Sequence, residues 1–150
     1  MATRAHRQAV STDQAPPAIG PYSQAIVANG FVFCSGTAGI DPTTGEAPDG
    51  IEEQTEQALR NLEAILGAAG ASLADVVKTT IFYTDVKHFA AINAIYSRHL
   101  PDPPPARSGP ANVVLPRNLL ISIEAIAVLP TGRRPSTSER PTPTTASSTG

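Results

Sequence analysis

A guanidinium held at a fixed point of the backbone is the first chemistry legible in the chain. Arg107 sits in Pro103-Pro104-Pro105-Ala106-Arg107-Ser108, ahead of an apolar stretch ending at Leu115-Pro116. Consecutive prolines stiffen the approach, because each locks its own φ and restricts the residue before it. A planar fork of donors held this way suits a carboxylate; an exposed arginine following a proline-rich loop is the alternative reading. Other reactive side chains do not assemble. His6, His88 and His99 lack metal-ligand spacing, and His88 and His99 read as exposed helix residues. Cys34, the single cysteine, sits mid-strand with no cation nearby in sequence, which describes a buried, inert thiol. There is no phosphate-cradling glycine loop, zinc pattern or serine elbow.

The elements that must position Arg107 lie between Ile19 and Leu129. Residues 1–18 are polar, with Pro16-Pro17, and read as a flexible arm; residues 130–150 are nearly all Ser, Thr, Pro and Arg and read as a disordered tail. That leaves one domain, 19–129, in a chain of 150 residues. Gln24–Ala28 and Phe31–Ser35 flank Asn29-Gly30, a hairpin dipeptide. Asp41–Gly45 is a turn. A helix follows Asp49-Gly50, with Glu52, Glu53 and Glu56 in its early turns, an apolar stripe from Ala58 to Ala69, and Gly70 as its stop. Val76–Thr84 reads as a strand. Asp85 caps a second helix whose inner face carries Phe89, Ile92, Tyr96 and Leu100. The last strands span roughly Arg107–Leu115 and Leu119–Val128. Two helices on one face of a mixed sheet make an α+β layer.

The final strand implies a partner. Leu120, Ser122, Glu124, Ile126 and Val128 project to one side; Leu119, Ile121, Ile123, Ala125 and Ala127 project to the other. Both faces carry apolar residues, yet only one can meet the helices, so oligomerisation through packed sheets is expected. Net charge −2 and a pI near 5.9 give no basic footprint for nucleic acid. No apolar run reaches transmembrane length, and the N-terminus lacks the apolar segment of a secretory signal. With a single cysteine, a reducing cytoplasmic location is expected.

Several short segments follow one another in a fixed order: Ile19-Gly20-Pro21-Tyr22-Ser23-Gln24-Ala25, Phe33-Cys34-Ser35-Gly36, Gly67-Ala68-Ala69-Gly70, Asp75-Val76-Val77-Lys78-Thr79-Thr80 and Ala91-Ile92-Asn93-Ala94-Ile95-Tyr96. Pro105-Ala106-Arg107-Ser108, Leu115-Pro116 and Ile123-Glu124-Ala125-Ile126-Ala127 complete the set. In these segments and their spacing the chain resembles the Rid family, also called YjgF, of reactive-intermediate deaminases. The resemblance implies a homotrimer of chorismate-mutase-like subunits with a central β-barrel and pockets between subunits. It also implies hydrolysis of 2-imino or enamino acids to 2-keto acids and ammonia without metal or cofactor.

The resemblance assigns Arg107 to the substrate carboxylate and lines the pocket with Tyr22, Ser35, Gly36, Asn93, Ser108 and Gly109. A tyrosine offers an apolar wall with a polar tip, or is simply a core residue. Gly36 would let a ligand approach the backbone and Ser35 could supply a hydroxyl, or the pair marks an ordinary strand end. Asn93 reads either as a pocket residue or as a structural hydrogen-bond partner.

Two departures fall at the reaction centre. The family's glutamate belongs two residues before Glu124, where this chain has Ser122. A serine hydroxyl can orient a water but is no general base near neutral pH without a partner. Glu124 is on the same strand face but roughly 6–7 Å further along, which favours a structural role at a subunit interface. Gly109-Pro110 also departs from the pattern: proline removes a ladder donor, so the strand is an edge or distorted, and the missing side chain widens the pocket. Three functions are compatible with these residues: an ordinary imine deaminase with Arg107 and Ser122 as catalytic groups, a pathway-specific enzyme acting on a larger imine, enamine or carboxylate, or a non-catalytic carboxylate-binding trimer. Relatives described as ribonucleases are the least compatible with the charge.

Overall fold

The computed structural model describes residues 6–130. The expected tail, from residue 131 on, and residues 1–5 of the expected arm lie outside them. Strands β1 (Arg7–Val10), β2 (Ala25–Ala28) and β3 (Phe31–Ala38) are followed by α1 (Ile51–Ala69), β4 (Val76–Tyr83), α2 (Phe89–His99), β5 (Ala106–Ser108) and β6 (Ile121–Val128). They form one six-stranded sheet in the order β1-β2-β3-β6-β4-β5, antiparallel except for the parallel β4–β5 pair.

Local sequence explains most boundaries. Asn29 and Gly30 both take positive φ, 53° and 81°, as a two-residue hairpin turn with the twist of its strands requires. Helix α1 buries Ala58, Leu59, Leu62, Ile65 and Leu66. Gly70, at φ 90°, ends it, with Gly70 N–H on the Gly67 carbonyl and Ala71 N–H on the Leu66 carbonyl. Strand β6 alternates as expected: Ile121, Ile123, Ala125 and Ala127 are buried under the helices, while Ser122 and Glu124 face away. The face without helices carries Phe31, Phe33 and Val128, all exposed. Phe33 is in register with Ile26 on one side and Ile126 on the other.

Four sequence expectations are corrected. Arg7–Val10, read as part of a flexible arm, is a strand paired with β2 from Arg7↔Ala28 to Val10↔Ala25. The segment after this strand is pinned by Gln24, whose Nε2 donates to the carbonyls of Thr12 (3.0 Å) and Pro16 (2.8 Å) while its Oε1 accepts from Thr12 N–H (2.7 Å). Backbone pairing and one buried amide order a segment whose own composition does not. Strand β5 is three residues long, because the ladder stops before Gly109-Pro110; the chain still runs beside β4, with Tyr83 N–H on the Pro110 carbonyl at 3.2 Å. Phe89 is 50% exposed instead of facing the core. Asp85 caps a short 3₁₀ turn, accepting from Lys87 N–H at 2.9 Å, and α2 starts only after that turn.

Candidate functional site

The residues expected in one pocket are brought together as two separate clusters. The first lies at the β5 edge. Arg107 is in register with Thr79 of β4 and stands on the helix-covered face. Its guanidinium carbon lies 5.0 Å from the Tyr96 ring centroid and 5.7 Å from that of Phe89, within cation–π range of both. Tyr96 is itself fixed, its hydroxyl sharing a 2.8 Å buried hydrogen bond with Thr79 Oγ1. Phe89, Asn93 and Tyr96 recur at i, i+4 and i+7, so half-buried Asn93 lies on the stripe between the rings. Arg107 remains exposed. It therefore lies over two rings while remaining exposed, which leaves its donors free for a carboxylate.

The second cluster surrounds a cavity of about 390 Å³ lined by Tyr22, Ser35, Gly36 and Ser122 among others. A bulge creates it: β3–β6 pairing slips between Cys34↔Ala125 and Thr37↔Ile123, leaving Ser35 and Gly36 opposite Glu124 alone. A Cβ on Gly36 would sit 2.9 Å from Ser122 Oγ, so the glycine is what lets the two strands bring that hydroxyl against the backbone. Ser35 Oγ donates to the Ser23 carbonyl at 2.6 Å, and Tyr22, half exposed, accepts from Ile19 N–H at 3.2 Å.

Two further buried amides hold the walls. Gln54 Oε1 accepts from Leu120 N–H at 2.8 Å and its Nε2 donates to the Pro48 carbonyl at 2.8 Å. Asn61 Nδ2 donates to the Ala38 and Ile40 carbonyls at 2.9 and 2.8 Å. Gln54 and Asn61 escaped the sequence reading, because mid-helix amides carry no motif and only burial reveals them. Leu115, Pro116 and Arg117 also line the cavity.

The clusters do not meet within one chain. Through Thr79, Arg107 is level with Ala125 of β6, two strands away and three residues from Ser122; sheet spacing puts their Cα atoms roughly 14 Å apart. They also lie on opposite faces. Ser108 points away from the guanidinium and accepts from Lys78 Nζ at 3.0 Å. A Cβ on Gly109 would lie 3.7 Å from the Tyr83 ring, an ordinary contact, so the position has room for a methyl group.

The remaining titratable groups are structural. Burial pushes the Cys34 thiol up to about 12, in line with an inert core residue. His99, read from sequence as exposed, instead bonds Glu56 Oε1 through Nε2 at 2.9 Å, and this bond holds the Glu56 carboxyl below its usual range. Among the described residues no group of three or more His, Cys, Asp or Glu side chains is placed to hold a metal, and no helix is long and apolar enough to cross a membrane.

A mixed sheet with two helices on one face, a braced arginine at its edge and a bulge-lined cavity define an α+β protein of the chorismate-mutase-like type. The family profile described as Endoribonuclease L-PSP matches residues 12–129, and the chain belongs to that family, the Rid or YjgF proteins. It is 48% identical over 129 residues to Reactive Intermediate Deaminase A, chloroplastic, of Arabidopsis thaliana, covering 85% of this chain and 69% of that one. It is 44% identical over 123 residues to mouse 2-iminobutanoate/2-iminopropanoate deaminase, covering 81% and 91%. The crystal structure of RidA from an Antarctic Psychrobacter superposes with a TM-score of 0.78 at 41% identity, covering 81% of this chain and 98% of that one.

Proposed function

We propose that the protein hydrolyses 2-imino and 2-enamino acids to 2-keto acids and ammonia, in pockets formed between subunits of a homotrimer. The carrying observation is Arg107, an exposed guanidinium pressed against Tyr96 and Phe89, in a chain 44–48% identical to relatives named for this chemistry. One small 2-imino acid cannot bridge roughly 14 Å and two sheet faces. A second copy whose β5 edge docks at the first copy's bulge would bring Arg107 to Tyr22, Ser35, Gly36 and Ser122. The exposed row of Phe31, Phe33 and Val128 supports such a partner, since packing sheets face to face would remove it from water.

In that pocket Arg107 binds the carboxylate and Asn93 lies beside it. Water adds to the imine carbon, a proton goes to nitrogen, and the carbinolamine expels ammonia to leave the keto acid. No metal or cofactor enters these steps. Ser122 orients the water through its hydroxyl; without a carboxylate base there, the rate rests on positioning and on the reactivity of the imine. Ser122, together with a cavity larger than a three-carbon substrate needs, favours as a second reading a pathway-specific enzyme on a longer imine over a general scavenger. A cytoplasmic site of action fits the buried, unpaired Cys34. The test is keto-acid release from 2-iminopropanoate generated in situ by an amino-acid oxidase. Acceleration reduced about 100-fold or more in Arg107→Ala, with measurable residual activity, supports the reading; no acceleration by the folded protein refutes it for this substrate.

A further inference from the structure

The cavity beside Ser122 has a charge the proposed reaction does not use. None of the residues lining it is Asp or Glu, while Arg117 reaches it from the loop before β6. The backbone there is unusual: Arg117 and Asn118 take φ of 59° and 55°. Left-handed backbone is sterically unfavourable for a long L side chain, and such outliers point to a position set by function more than by propensity. Arg117 Nη2 donates to the Gly45 carbonyl at 2.9 Å, which ties the guanidinium to the Asp41–Gly45 turn at the cavity wall. One bond uses one of five N–H donors. The rest of the wall is mostly apolar, with Ile40, Ile65, Leu115 and Leu119 among the lining residues. The nearby carboxylates Asp41 and Glu46 line a separate groove.

A mostly apolar cavity with a tethered, exposed arginine in its wall fits a carbon chain ending in an anion. Resting on the deaminase reading, we propose that Arg117 is the specificity-determining residue of this site and binds the distal carboxylate of a 2-imino or 2-enamino dicarboxylate. The α-carboxylate is held by Arg107 of the neighbouring copy, the imine carbon lies at Gly36 and Ser122, and the side chain runs through the cavity to Arg117. Serine at position 122 is part of this selectivity. A carboxylate there would face a dianionic substrate at close range, whereas a neutral hydroxyl does not repel it.

Keto-acid products are stable ligands, so the proposal can be read without turnover. Binding of 2-oxoglutarate and of 2-oxopentanoate, its counterpart without the second carboxylate, is measured by calorimetry on the full-length protein, Arg117→Gln and Arg117→Lys. The wild type should bind the diacid at least about tenfold more tightly, as one charge-assisted contact provides. Arg117→Gln should bring the two within about twofold, with 2-oxopentanoate unchanged, and Arg117→Lys should restore part of the difference. Equal affinities in the wild type, or a loss of both ligands alike in Arg117→Gln, would overturn the proposal; the second result would make Arg117 the α-carboxylate anchor. If the diacid preference is present but no imine is hydrolysed, the deaminase reading fails while the specificity assignment stands.

Discussion

The brace on Arg107 can be measured as a coupling. Phe89→Leu keeps an apolar side chain at a half-exposed position, so its cost to folding is small, within about 0.5 kcal/mol. It removes one of the two rings under the guanidinium, at 5.7 Å. A cation–π contact at an exposed site contributes about 0.5–1 kcal/mol, which is about two- to fivefold in KM at 1.4 kcal/mol per decade. Arg107→Lys loses the fork as well. One charge-assisted hydrogen bond of about 1.5–3 kcal/mol plus the weakened stacking gives about 2–4 kcal/mol, or about 30- to 1,000-fold in kcat/KM. The assay is keto-acid release from 2-iminopropanoate for the single variants and for Phe89→Leu in an Arg107→Ala background. Because the ring acts through the arginine, Phe89→Leu should raise KM in the parent and change nothing once Arg107 is alanine. Equal losses in both backgrounds would mean that Phe89 touches the substrate itself. No loss in the parent would remove the brace from the mechanism.

Restoring a carboxylate with Ser122→Glu should raise the hydrolysis of 2-iminopropanoate at least about tenfold, since a positioned base contributes about 10²–10⁴. An unchanged rate would show that the substrate does not reach this hydroxyl. The Glu56 carboxyl is held low in the folded state, chiefly by its hydrogen bond from His99. Its contribution is therefore present above the unfolded pKa and lost as pH falls through the folded one. Glu56→Gln should cost up to about 1 kcal/mol at pH 7 and nothing near pH 2 in urea unfolding; equal costs at both would assign the effect to packing. With its pKa pushed up to about 12 by burial, Cys34 should resist an aromatic disulfide reagent at pH 8 in the native protein and react in full once unfolded. Fast labelling of the folded form would contradict its burial.

The parts of the fold legible in the sequence are those held by local forces. The Asn29-Gly30 hairpin, the stripe and glycine stop of α1 and the two-faced β6 depend on patterns a few residues long, and they stand where expected. Gly109-Pro110 reads as marking an edge or a distortion, and β5 is the edge strand of the sheet, but the strand expected to run to Leu115 ends at Ser108. The N-terminal strand escapes the sequence because Arg7-Gln8-Ala9-Val10 has little alternation; its order comes from pairing with β2 and from Gln24. Phe89 fits the apolar spacing of α2 yet stands half exposed beside Arg107. Arg107 itself is legible from its proline-rich approach, whereas Arg117, in a left-handed turn, has no signal beyond the neighbouring Leu115-Pro116.

On the proposed reading, the distance between the two clusters makes assembly part of the chemistry. A carboxylate anchor on an edge strand and a water-orienting hydroxyl at a bulge two strands away are each of little use alone. Neither can be moved toward the other without losing the β4–β6 register that buries Ile121, Ile123 and Ala125. In the proposed assembly, docking one chain's edge against the next chain's bulge would unite them without altering either scaffold, and would cover Phe31, Phe33 and Val128 in the same step. A charge placed on that face, as in Phe33→Asp, should therefore abolish turnover and dissociate the oligomer together, while the Cys34 thiol stays protected in the folded subunit. Light scattering and the imine assay on the same sample decide it: a monomer that retained full activity would place Arg107 and Ser122 in separate functions.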